Sequence, residues 1–124
     1  MTLRSDRRGD ELRIADILAA MDRLESTRER GHERFVSESD AFDATIRRLE
    51  VVGEAAGKVT EATRQQFPEV PWQKMHGFAS FATHEHWKLR PEEVWRAVEA
   101  IPALRRSLST ARVDEGAGRQ LDRT

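Results

Sequence analysis

The chain has 124 residues, of which 38% are hydrophobic and 35% charged, with a formal net charge of −1. That length fits one domain, and a near-neutral balance excludes a uniformly basic surface, so any RNA contact needs a local basic patch. The absence of cysteine excludes disulfides and thiolate metal sites. No apolar run approaches a membrane span, and the first residues lack the apolar core of a signal peptide. The expectation is a cytoplasmic protein with no membrane partner. So small a domain makes a thin core, which favours self-association.

Met1 to Gly9 is polar and charged and reads as a flexible N-terminus. Leu12, Ile14, Ile17, Leu18, Met21 and Leu24 then recur at helical spacing. Asp10 is expected to cap this first helix and Gly31 to end it. Phe35 to Asp40 reads as a connection. A second helix is expected from about Ala41 to Gln66, with Phe42, Thr45, Leu49, Val52, Ala56 and Val59 as its apolar stripe. Gly53 and Gly57 lie one turn apart inside it, and glycine there costs helix stability, which points to the close approach of another helix.

Phe67-Pro68-Glu69-Val70-Pro71 stops that helix. A third runs from Trp72 to about His86, and its segment Gly77 to Trp87 is apolar but ends in histidines beside a carboxylate. Such groups cost free energy at a buried helix end unless they are paired or used. Pro91-Glu92-Glu93 starts a fourth helix, with acids at the positive end of its dipole. Val94, Trp95, Val98, Ile101, Leu104 and Leu108 form its stripe, and Pro102 should bend it. After Ala111 the periodicity ends. The expected organisation is a flexible segment 1–9, a helical domain 10–111 and a flexible tail 112–124. No strand pattern occurs, so the fold class is all-α, an antiparallel bundle of four main helices.

Several of these segments carry a family resemblance. Ile46-Arg47-Arg48-Leu49-Glu50-Val51-Val52-Gly53-Glu54-Ala55-Ala56 resembles the second-helix signature of the HepT-like proteins, a branch of the HEPN superfamily. Phe67 to Trp72 resembles that family's proline-bounded turn, and Gly77 to Trp87 its active-site segment. Arg90 to Trp95, with Ile101 to Leu104, resembles its last helix. The resemblance covers about Leu12 to Leu108. It implies a homodimeric helical ribonuclease that acts as the toxin of a toxin–antitoxin pair, with a minimal nucleotidyltransferase (MntA-like) as antitoxin. It further implies an Arg and a His that cleave RNA without metal or cofactor, and a nearby Tyr to which the antitoxin transfers AMP. In that chemistry a neutral His takes the proton of the attacking 2′-hydroxyl. The Arg braces the phosphorane.

This sequence departs from the pattern at the site itself. His84 occupies the position of the catalytic base, but Ala79 stands where the resemblance places the arginine and Ser80 where it places an asparagine. His86 occupies the place of the modified Tyr, and the chain has no Tyr at all. Arg47, Arg48 or Lys88 are candidates to supply the missing charge. Glu50 and Glu54 lie either on a solvated face, pairing with Arg47 and Lys58, or at the border of the cleft, where they orient His84. Trp72, Trp87 and Trp95 read as core or interface. Two functions follow: a ribonuclease-type toxin subunit with His84 as general base and weakened activity, or an inactive HEPN dimer that serves as an interaction module for the nucleotidyltransferase.

Overall fold

The computed structural model describes residues 3–123, with side chains over 8–85 and 87–108. Its helices are α1 (Leu3–Arg30), α2 (His32–Ser37), α3 (Ser39–Lys58), α4 (Glu61–Gln66), α5 (Trp72–His84) and α6 (Pro91–Arg123), with a single 3₁₀ turn at His86–Lys88. There is no strand among the described residues. Four long helices make the bundle. α3 packs against α1 and α5, and α1 also against α6, so α5 is the outer member, supported chiefly by α3. No described helix is long and apolar enough to cross a membrane.

The apolar stripes build the core as their spacing predicts. Ile17, Met21 and Leu24 of α1, Val52 and Ala56 of α3, and Val94, Val98 and Ile101 of α6 are almost wholly buried. Leu12 is the exception, at 59% exposed, so the inward stripe of α1 starts at Ile14. Gly31 ends α1 as expected, with φ +97°, a left-handed conformation that costs other residues more. The connection expected at Phe35 is instead the short helix α2, formed because Phe35 has somewhere to go. Its ring is 2% exposed and lies 5.9 Å from Phe42 and 5.3 Å from Trp95 between centroids. His32 holds the start of α2 to α6, with Nε2 2.7 Å from Glu92 Oε1 and its ring edge-on to Trp95. Helical backbone reaches Leu3 at one end and Arg123 at the other, outside the periodic stretch.

The helix expected from Ala41 to Gln66 is broken. Val59 and Thr60 are extended between α3 and α4. The cause lies on α1. Asp10 does not cap its own helix; it sits inside α1, 4% exposed, and receives Thr60 N–H at 3.0 Å, Thr60 Oγ1–H at 2.6 Å and Thr63 Oγ1–H at 2.5 Å. It thus caps α4 from across the bundle and satisfies a donor that the new helix start leaves free. Arg64 completes the junction by donating from Nη2 to Ala56 O at 2.9 Å, near the end of α3.

Burial alone pushes the Asp10 carboxyl up, but the bonds from Thr60 and Thr63 outweigh it and hold the group below the ordinary value of 3.8. A lowered folded-state pKa means that this stabilisation is complete above the ordinary value and fades as pH falls through the folded one. Asp10→Ala is expected to cost about 2 kcal/mol at neutral pH. In urea titrations its deficit against the parent should shrink as the pH drops below 3.8. A deficit that ignores pH would show that the carboxylate charge is not its source. Thr45 is wholly buried with no partner for its hydroxyl among the described residues. Thr45→Val should therefore be neutral or stabilising by up to about 1 kcal/mol.

Candidate functional site

α5 is positioned by its contact with α3, and the two glycines of α3 make that contact. A Cβ on Gly53 would overlap the Cβ of Ala79 and stand 2.5 Å from Met75 O. A Cβ on Gly57 would run into the His76 imidazole, whose Nδ1 lies 3.4 Å from Gly53 O. The close approach anticipated from the glycine pair is therefore the α3–α5 crossing. At its N-terminal end α5 is fixed by Trp72, which is buried and donates Nε1–H to Phe67 O at 3.2 Å.

This crossing decides where the predicted site residues lie. Ala79 is 2% exposed and packs into the seam against Gly53. His84 is the last residue of α5 and is exposed. Its ring makes no hydrogen bond among the described residues, and none joins it to Glu50 or Glu54. Ser80 is exposed one turn before it. The helix closes with Glu85 N–H donating to Phe81 O at 2.8 Å, and the chain turns with Lys88 N–H donating to Glu85 O at 2.9 Å. Leu89 is buried and anchors the turn. The His86 side chain lies outside the described residues.

The Gly53–Ala79 contact also sets the register of α3 against α5. Arg47 precedes Gly53 by six residues and His84 follows Ala79 by five. At about 1.5 Å per residue the two stand nearly level along the helix pair. Glu50, half-buried, lies within a turn of that level and pairs with Arg47 at 3.6 Å. Lys88 Nζ meets Glu85 Oε1 at 3.0 Å. Arg48, one residue on from Arg47, is grouped instead with Arg30 and Arg34 on the other side of α3. Glu54 is exposed and has no ion pair among the described residues. Trp72 and Trp95 are core residues, whereas Trp87 is 68% exposed.

The arrangement offers a base at a helix end, two cations in surface pairs worth little to stability, and an alanine in the seam. Sequence reading missed His76 as a packing partner of Gly57.

A family model described as Ribonuclease HepT-like matches residues 17–111. A Methanocaldococcus jannaschii protein named as a putative RNase is 30% identical over 97 residues, 77% of this chain and 89% of that protein. A Thermococcus cleftensis protein named as a probable ribonuclease HepT is 31% identical over 94 residues, 74% of this chain and 86% of that protein. A Caldanaerobacter subterraneus protein, also named as a putative RNase, is 27% identical over 77 residues, 61% of this chain and 69% of that protein. No solved structure matches significantly.

Alanine is the better helix former by about 1 kcal/mol, yet Gly53→Ala should lower stability by roughly 1–3 kcal/mol because it meets backbone as well as Ala79. Gly57→Ala meets only a side chain that can swing away, and should stay near neutral. Urea midpoints of the two variants check this order; equal midpoints would mean that the crossing is looser than its geometry.

Proposed function

The chain belongs to the HepT-like ribonuclease family, and from that premise we propose that it is a ribonuclease-type subunit with His84 as its general base. The observation that carries this is His84 itself: an imidazole at the end of α5, exposed, with no hydrogen bond to any described residue and so open to a substrate. The reaction is a transesterification. The neutral imidazole takes the proton of a ribose 2′-hydroxyl, the oxygen attacks the adjacent phosphorus, and the bond to the 5′-oxygen breaks. The products are a 2′,3′-cyclic phosphate and a 5′-hydroxyl end, and the leaving oxygen regains a proton from His84 or water.

Cleavage by this route is slow in the isolated chain. Losing a group that braces the transition-state charge costs a factor of about 10²–10³, and Ala79 supplies no charge. Lys88 and Arg47 are the cations nearest in chain and in level to His84; Lys88 gives up only an exposed ion pair to reach a phosphate, whereas Arg47 would leave the half-buried Glu50 unpaired. The proposal includes a homodimer and a minimal nucleotidyltransferase as antitoxin, in a toxin–antitoxin pair. With no Tyr in the chain, AMP transfer to that residue type is not available, and His86 holds its position.

A second reading is favoured by the burial of Ala79 in the seam. The domain is then an inactive member that keeps the dimer and the nucleotidyltransferase-binding surface without the chemistry.

Purified chain incubated with single-stranded RNA separates the two. On the first reading, cyclic phosphate ends accumulate, His84→Ala slows them by about 10²–10⁴, and Lys88→Ala slows them by a smaller factor. Cleavage that survives His84→Ala removes His84 as base, and no cleavage by either protein leaves the second reading. Light scattering should give the mass of two chains; a monomer in dilute solution rules out the dimer.

A further inference from the structure

On the side of α3 away from the α5 seam, an open cavity of about 240 Å³ lies between the α1–α2 corner and the start of α3. Arg30, Arg34 and Arg48 line it together with Glu38 and Asp40, and buried Phe35 forms part of its wall. Arg34 is committed to Glu38, with Nε donating to Oε1 at 3.1 Å. Arg30, Arg48 and Asp40 have no ion pair among the described residues. Helix dipoles account for Arg30, in the last turn of α1, and for Asp40, in the first turn of α3. They do not account for Arg48, which is half-buried in the middle of α3. The residues one and two turns before it, Ala44 and Ala41, are small and leave the space over its guanidinium open.

The cavity is smaller than the roughly 300–1,000 Å³ of sites that enclose a whole ligand, and it is open to solvent. Its dimensions suit one segment of a longer strand. Two guanidiniums without ion pairs among the described residues line it, which suits a phosphate, a group that arginine binds in bidentate fashion. The carboxylate of Asp40 beside them would repel a bare anion, but it can accept a hydrogen bond from a ribose 2′-hydroxyl. That group distinguishes RNA from DNA.

We propose that this groove is an RNA-contact site separate from the His84 end, in which Arg30 and Arg48 hold a backbone phosphate and Asp40 accepts from a neighbouring 2′-hydroxyl. The inference rests on the reading of the chain as RNA-acting, but not on its being catalytic. It gives a protein of net charge −1 a local basic feature with which to retain a polyanion.

Binding is measured by fluorescence anisotropy on the full chain carrying His84→Ala, so that the probe is not cut. The probes are a labelled single-stranded RNA and the DNA of the same sequence. The parent should prefer RNA. Arg30→Ala with Arg48→Ala should weaken RNA binding about tenfold or more, and should lower the slope of log affinity against log salt by about 0.7, the value for one phosphate contact on a single strand. Arg23→Ala with Arg96→Ala removes the same charge from exposed positions elsewhere and should have a smaller effect. Arg30→Lys with Arg48→Lys keeps charge and fold without the bidentate fork, and should fall between the parent and the double alanine substitution. Asp40→Ala removes the acceptor together with the charge that repels phosphate, so it should narrow the preference for RNA over DNA, with DNA binding equal or tighter. No RNA binding by the parent, equal affinity for RNA and DNA, or equal losses in the 30/48 and 23/96 pairs would each overturn the proposal. A chain that binds RNA through these arginines and fails to cleave it loses the nuclease reading and keeps this one.

Discussion

The contact between Gly53 and Ala79 is the constraint on which the rest of this molecule depends. α5 is the outer helix and packs chiefly on α3. Its height, its register and the direction in which its end faces are therefore set where the two backbones come closest. Glycine is needed there because a side chain would meet Met75 O as well as the Ala79 methyl. The same contact fixes what position 79 can do. Ala79 and His84 are separated by five residues, and at 3.6 residues per turn their side chains leave the helix about 140° apart. Ala79 faces α3, and His84 faces outward. Only a long side chain starting at 79 could travel along the seam and bring a charge round toward His84, and a methyl group cannot.

The Asp10 clamp serves the same end from a distance. By breaking the helix at Val59 and Thr60 it sets the direction of α4 and of the Phe67–Trp72 turn that leads into α5. Trp72 then pins the first turn of α5 to Phe67. α5 is thus held at its beginning and its middle. Its last turn is held by Leu89 and by the backbone bonds of Glu85 and Lys88, but no side chain of the described residues orients the His84 ring. Catalysis asks for a base within hydrogen-bond reach of its proton. On the proposed reading of His84 as the base, its positioning is left to the substrate or to a second chain.

Much of this was legible in the sequence, for identifiable reasons. Helical stripes report burial directly, so the core of α1, α3 and α6 followed from spacing. Gly53 and Gly57 gave away the crossing, because two glycines inside a helix have a cost that only close packing offsets. The break at Val59 was not legible, since its cause is a carboxylate some fifty residues away in chain and adjacent only in the fold. Phe35 was misread as a connection for the same kind of reason, its aromatic partners Phe42 and Trp95 lying on other elements. At the site, the helix-end place of His84 followed from the apolar run before it. The burial of Ala79 did not, because spacing along the chain says that two residues are near and not that they face the same way.

Charge separates the two faces of α3. At the His84 end, Arg47 is matched by Glu50 and Lys88 by Glu85. An exposed pair such as Lys88–Glu85 is cheap to open once a phosphate has arrived, but it does little to bring one there. Across α3, Arg30 and Arg48 stand without acids paired to them, and Arg34 stands beside them. Adjacent residues of one helix, Arg47 and Arg48, thus have different surroundings: Arg47 is exposed and pairs with Glu50, while Arg48, a turn of about 100° on, stands over the α1–α2 corner. The unpaired guanidiniums are found on the face of α3 opposite to the one that positions α5.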